Sequence, residues 1–206
     1  MNVEIPAERI KKAAATIRRG GIILFPTDTT YGLGADPFND RAVERLYRIK
    51  RRDAAKPVLL LIDKPEDLDA LTAGIPPSAS VLMEKFWPGP LTLILPAAAR
   101  LRPHHIFKTG RVAVRLPDQR IARRIAAAAG VPLTATSANI SGSPSCLAPS
   151  SLPDCFLKEI DLVIDAGKCS QTRDSTIVDT TRTPPVMIRE GAIPYSRIKE
   201  QGIDHG

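Results

Sequence analysis

Apolar side chains recur at Ile10, Ala13, Ala14 and Ile17, the spacing of one helix face, after Pro6 and before the Gly20-Gly21 pair. Proline opens helices and glycine ends them, so this stretch predicts a first helix. The pattern then changes to an apolar run over 22–26, which suits a strand. Asn39 precedes Val43, Leu46 and Tyr47 and supplies an N-cap for a second helix through Ile49. VLLLI (58–62) and LTLIL (91–95) are uninterrupted apolar runs, expected as strands buried on both faces. Between them two short helices are predicted near 65–73 and 77–86, each opened by a proline, and WPGP at 87–90 breaks the chain.

RVAVRLP (111–117) reads as a strand, and Asp118 is expected to cap an alanine-rich helix that Gly130 ends. VPLTATSAN (131–139) reads as a strand running into a polar turn, and 141–153, rich in Ser and Pro, as a mobile loop. LVIDAG, STIVDT and PVMIRE close the chain as three further short strands. The sum is an α/β chain with about seven strands and five or six helices. Parallel pairs are expected where helices intervene and antiparallel ones near the C-terminus, which makes the sheet mixed. No repeat or linker divides the chain, so residues 1–206 are read as one domain.

Composition adds limits. With 43% hydrophobic and 25% charged residues the chain has the profile of an ordinary globular protein. No run of eighteen apolar residues predicts a membrane span. MNVEIPAERIKK carries no apolar signal core, so a cytoplasmic protein is expected. The three cysteines form no C-x-x-C pair and are expected as free thiols, and adjacent His104 and His105 match no metal-ligand spacing. The net charge of +7 points toward anionic partners. Seven basic residues fall between Arg41 and Lys56, and eight between Arg100 and Arg124. Such clusters serve a nucleotide or a tRNA, or form solvated helix faces.

Candidate chemistry begins at GGIILFPTDTTYGLGADP (20–37), where a strand runs into a polar turn with Gly32 and Gly34. A dinucleotide fingerprint requires a third glycine where Pro37 stands. Lys50 and Arg52 are two apart; on extended backbone both address one anion, while at a helix C-terminus both satisfy the dipole. Ser137, Asn139 and Ser141 alternate in the same manner beside Gly142, either as phosphate donors or as a turn of local bonds. Arg111 and Arg115 share one strand face, opposite Val112, Val114 and Leu116, and turn toward a polar cavity or toward solvent. There is no G-x-x-x-x-G-K-[ST], H-E-x-x-H or G-x-S-x-G, and no histidine placed for a triad. Positioned cations and hydrogen-bond donors favour phosphoryl or nucleotidyl transfer over covalent catalysis.

PTDTTYGLGAD, YRIKRR with KP, FWPGPLTL, RVAVRLPD, PLTATSANISG, DSTIVD and IREGAIP together resemble the YrdC/Sua5 family of threonylcarbamoyl-AMP synthases, in family order over nearly the whole chain. The resemblance implies a twisted mixed α/β sheet with flanking helices around one large, positively charged cavity. It implies a nucleotidyltransferase that makes threonylcarbamoyl-AMP and pyrophosphate from L-threonine, bicarbonate and ATP. The product would feed modification of the adenosine beside the tRNA anticodon through a downstream threonylcarbamoyl-transfer complex. Carried onto this chain, Lys50 and Arg52 resemble the catalytic phosphate clamp, with Lys56 close by. Arg111, Ser137, Asn139, Ser145 and Arg189 resemble further ATP contacts. Thr27, Thr29, Tyr31, Arg115, Ala135 and Ser175 resemble threonine contacts. No Asp/Glu cluster offers a dedicated metal site, so Mg2+ is expected to ride on the ATP phosphates.

Two features depart from the family pattern. Arg51 stands where many relatives have glycine in K-G-R, which lowers backbone freedom and adds charge to the clamp. The chain also stops soon after IREG, so a lid is expected from its own loops or from a partner. Two other readings stay open: a module that binds tRNA or structured RNA without catalysis, and carbamoyl transfer from carbamoyl phosphate.

Overall fold

Helical spacing over Ile10 to Ile17 is realised as α1 (Ala7–Arg18), which buries Ile10, Ala13, Ala14 and Ile17. The structure, a computed structural model, describes residues 4–53, 58–101, 109–140, 142–169 and 173–202. β1 (Ile23–Pro26) follows, buried throughout. Patterning did not reveal the next element, β2 (Tyr31–Gly34), which pairs antiparallel with β1 from Pro26↔Tyr31 to Ile23↔Gly34. Its two glycines look like loop residues, but Gly34 serves a close approach. A Cβ on Gly34 would lie 2.7 Å from the Phe25 ring. The polar turn is therefore only four residues long, Thr27, Asp28, Thr29 and Thr30.

α2 (Asp40–Lys50) starts as expected, with Asn39 Oδ1 accepting from the Ala42 amide at 3.1 Å. It ends on Arg51, whose φ of 48° and ψ of 43° are left-handed. Of the two readings for Lys50 and Arg52, extended backbone or a helix end, the helix end is the one realised, with a left-handed cap at Arg51. β3 (Leu59–Leu61), α3 (Leu68–Leu71), α4 (Pro77–Phe86), β4 (Leu91–Pro96) and β5 (Arg111–Arg115) fall where patterning puts them. α5 (Arg120–Ala129) is capped by the Gln119 side chain, which accepts from the Ile121 amide, and not by Asp118. β6 (Leu133–Ser137), α6 (Asp154–Leu157), β7 (Leu162–Val163), β8 (Thr176–Asp179), β9 (Val186–Arg189) and α7 (Tyr195–Lys199) complete the chain.

The described residues form nine strands in one mixed sheet, ordered β7-β1-β2-β6-β3-β5-β4-β8-β9. β1/β7, β3/β5 and β4/β8 are parallel and the other pairs antiparallel. β6 joins the two halves, meeting β2 through Gly32↔Ser137 and β3 through Leu59↔Ala135. α1 and α5 cover part of one face, burying Ile23, Phe25, Leu61, Leu133 and Ala135. Ala13, Ala14, Ala122 and Ala126 are small enough to bring both helices close to the strands. The opposite face carries the larger core, including Leu24, Leu33, Leu60, Leu93, Val112, Val114 and the inner side of α2. Among the described residues no helix is long and apolar enough to cross a membrane.

Candidate functional site

Side chains alternate along each strand, so the face that α1 and α5 only partly cover continues across the sheet. There Leu59 and Leu61 of β3, Thr92 and Ile94 of β4, Ala113 and Arg115 of β5, Ala135 and Ser137 of β6, and Ile177 of β8 line a cavity of about 300 Å³. Thr27, Thr29 and Thr30 of the β1–β2 turn, Tyr31 and Gly32 of β2, Arg52, Val58, Thr136, Asp174, Ser175, Ile188 and Arg189 complete the lining. A shallower recess of about 520 Å³ adjoins it, sharing Asp174 and Arg189.

The β1–β2 turn is built by its own hydroxyls. Thr27 Oγ1 donates to the Thr30 carbonyl at 2.6 Å, accepts from the Thr29 amide, and lies 2.9 Å from Thr29 Oγ1. Such local bonds are what threonine offers in place of a sheet ladder. Arg115, at the end of β5, is 3% exposed. Its Nη1 donates to Thr29 Oγ1 at 3.2 Å, its Nε to the Gly89 carbonyl at 3.0 Å, and its Nη2 to Asp28 Oδ1. Burial pulls the Arg115 pKa down, and Asp28 pulls it back up. Asp28 Oδ2 is buried with no hydrogen-bond partner among the described residues.

Arg189, at the end of β9, donates from Nε to the Ser175 carbonyl at 3.0 Å and from Nη2 to Ser175 Oγ at 3.2 Å. Ser175 Oγ also lies 2.8 Å from Thr92 Oγ1. One hydroxyl pair thereby ties β4 to β8 and sets the guanidinium.

Lys50 takes a different place from the one expected. It is 1% exposed and outside the cavity lining. Its ammonium donates to the Ser137 carbonyl, to the Asn139 carbonyl at 3.0 Å and to Asn139 Oδ1 at 2.9 Å. Ser137 Oγ also donates to Asn139 Oδ1, at 2.7 Å. Lys50 and the S-x-N turn are therefore partners of each other. Burial, with the charge of Arg52 second, lowers the Lys50 pKa to about 8.

Thr27, Thr29, Tyr31, Arg52, Arg115, Ala135, Ser137, Ser175 and Arg189 all come together in the cavity lining. Tyr31 contributes no free hydroxyl, because its oxygen donates to the Gly167 carbonyl at 2.7 Å and accepts from the Ala166 amide at 2.9 Å. Burial pushes its pKa up to about 12. Asn139 and Ser145 lie outside the lining, the first on Lys50 and the second donating to Asp174 Oδ1 at 3.1 Å. Arg111 shares the Arg115 face as expected but sits beyond the cavity, exposed, 3.3 Å from Asp179 Oδ2. Arg51 is exposed and outside the lining. Lys56, Ser141, His104 and His105 lie outside the described residues. Cys146, Cys155 and Cys169 are free thiols.

Sequence reasoning missed Asp28, Thr92, Asp174 and Ile188. Both aspartates sit inside the motifs PTDTTYG and DSTIVD, so adjacency to a hydroxyl cluster was the available signal. Among the described residues no group of three or more His, Cys, Asp or Glu side chains is arranged to hold a metal ion.

A Sua5/YciO/YrdC family model, described as "Telomere recombination", matches residues 15–191. The chain is 38% identical over 192 residues to the threonylcarbamoyl-AMP synthase of Pyrococcus abyssi, covering 93% of itself but 56% of that protein. It is 35% identical over 199 residues to the putative threonylcarbamoyl-AMP synthase of Methanocaldococcus jannaschii, covering 95% of itself and 93% of that relative. The solved structure of P. abyssi Sua5 complexed with L-threonine superposes with a TM-score of 0.90 at 38% identity, over 96% of this chain and 58% of that one.

Proposed function

The chain belongs to the Sua5/YciO/YrdC family, and on that premise we propose that it makes threonylcarbamoyl-AMP and pyrophosphate from L-threonine, bicarbonate and ATP. One observation carries the reading. A single cavity is lined at once by Arg115 among the Thr27 and Thr29 hydroxyls and by Arg52 and Arg189 with Ser137. The first set suits an amino acid and the second a polyphosphate, and reaction between the two requires a shared chamber. The adjoining recess gives the longer ligand room. Relatives named as synthases, and the Sua5 structure with L-threonine, support the same assignment.

Arg115 is held in place by three acceptors, so its guanidinium is ready for the threonine carboxylate. Thr29, Thr92 and Ser175 offer hydroxyls to the substrate hydroxyl, and Ala135 leaves room for its methyl. The threonine amine and bicarbonate combine to a carbamate with loss of water. A carbamate oxygen then attacks the α-phosphorus, the bond to the bridging α–β oxygen breaks, and pyrophosphate leaves. Arg52 and Arg189 stabilise the charge that moves onto the leaving phosphates. Lys50 acts one step back, fixing Ser137 and Asn139 and so the shape of the S-x-N turn beside the cavity. Magnesium, carried in on ATP, neutralises part of the phosphate charge.

In this reading the chain is a cytoplasmic nucleotidyltransferase whose product passes to a tRNA threonylcarbamoyl-transfer complex, with tRNA as a candidate direct partner of its basic clusters. The test is pyrophosphate release with each component left out in turn. Release should require ATP, magnesium, L-threonine and bicarbonate together. Full release without threonine would overturn the reading. An RNA-binding module would release none, and an enzyme using carbamoyl phosphate would not need threonine.

A further inference from the structure

Among the described residues that line the cavity, Asp174 is the one acidic side chain, against the guanidinium groups of Arg52, Arg115 and Arg189. A carboxylate facing the place where a polyanion binds works against binding unless it has a cationic partner there. Arg189 is a weak partner, joined to Asp174 by one long salt bridge. Its nearest approach to Asp174 Oδ2 is 3.5 Å, while its better hydrogen bonds, at 3.0 and 3.2 Å, go to Ser175. Ser175 holds that arginine more closely than Asp174 does. The other oxygen, Oδ1, accepts from Ser145 Oγ at 3.1 Å. The carboxylate is about one-third exposed and borders both the cavity and the outer recess, where Arg173 and Glu190 offset each other, so Asp174 is the acidic side chain at the junction that an extended phosphate chain would cross. Its charge also acts on Lys50, Arg115 and Arg189, which places it centrally among the cations.

Resting on the ATP reading above, we propose that Asp174 is the residue through which the site selects magnesium-bound ATP over free ATP. The donor set fits that ion. Magnesium keeps several waters and is commonly bound by one or two carboxylates together with substrate phosphates. One carboxylate beside the Ser145 and Ser175 hydroxyls is too small a set to hold it alone, in keeping with the lack of any larger cluster among the described residues. With the ion present, Asp174 is an attractive contact for the nucleotide. Without it, Asp174 repels the phosphates. A carboxylate among arginines thus turns a general anion site into one that distinguishes two forms of the same nucleotide.

The test is equilibrium binding by calorimetry, with threonine and bicarbonate omitted so that no turnover occurs. ATP is titrated with excess magnesium and separately with EDTA, into the wild-type chain and into Asp174→Asn. The substitution keeps the acceptor for Ser145 and the shape. Wild type should bind magnesium-ATP at least tenfold tighter than free ATP. In Asp174→Asn the ratio should fall to within about threefold, chiefly because free ATP binds better. An unchanged ratio in the variant would overturn the assignment. So would equal weakening of both forms, which would mean that Asp174 only supports Arg189. A ratio near one in the wild type would overturn it with no variant needed. Failure of the wild type to bind ATP in either form would instead overturn the functional reading, and this one with it.

Discussion

Raising the pH should make the chain more stable through Lys50, and Lys50→Met should abolish that gain. The Lys50 pKa falls from its ordinary 10.5 to about 8, because burial penalises the ammonium and Arg52 adds repulsion. Between those two values the unfolded chain binds a proton at this position that the folded chain does not. Stability therefore rises with pH through this window; the contribution is complete above pH 10.5 and absent below pH 8. The fall corresponds to roughly 3 kcal/mol in total, at about 1.4 kcal/mol for each tenfold change in proton affinity. Between pH 8 and pH 10 the gain should be about 2 kcal/mol, or a urea midpoint higher by about 1 M for a typical slope. The assay is urea unfolding of wild type and Lys50→Met across pH 7 to 10, read as the difference between the two midpoints. That difference cancels every other titrating group. A constant difference would refute the reasoning, and would mean that the three oxygens around the ammonium hold its proton as firmly as water does.

Arg52→Ala should lower turnover by a factor of about 30 to 1,000 with the fold intact, as expected for one charge-assisted contact in a partly buried site; near-normal turnover would remove Arg52 from the proposed clamp. Arg51→Gly should stabilise the chain by up to about 1 kcal/mol, because relief from left-handed backbone outweighs glycine's extra entropy, and a lower melting temperature would contradict this. Gly34→Ala should cost about 1–3 kcal/mol by pressing a methyl group into the Phe25 ring. Calorimetric melting is the check, and the double variant with Phe25→Leu should recover part of the loss.

The elements that could be read from sequence are those whose burial is uniform along a run or periodic around a helix. The apolar run entering β1, the Asn39 cap of α2 and the alanine face of α5 are cases of this kind. β2 escaped because Gly34 answers to Phe25 on the neighbouring strand, a tertiary demand that leaves the same trace as a loop. The Lys50–Arg52 spacing was legible but its geometry was not, since Arg51 adopts the left-handed conformation that favours glycine. The site divides similarly. Arg115, Thr29 and Ser175 stand in recognisable motifs and meet in the cavity. Asp28 meets Arg115 across 87 positions, and no local pattern announces such a pair. For Arg111 the sequence left cavity and solvent both open, because strand alternation fixes the face of a side chain but not how far the cavity extends along it.

The position of β6 bears on how the chain comes off the ribosome. β2 and β3 follow one another in sequence, yet β6 lies between them in the sheet. Until residues 133–137 have been synthesised, the early hairpin β1–β2 and the strand β3 each present an unpaired, largely buried-type edge with nothing to join them. The nascent chain thus passes through a stage with two sticky edges, the kind that recruit other chains. When β6 arrives it closes both gaps in one event, and the same residues, Ala135, Thr136 and Ser137, bring one wall of the cavity. The strand that closes these two edges is also the strand that joins the cavity's two sides, so the same step that removes a pair of sticky edges brings the site's halves together.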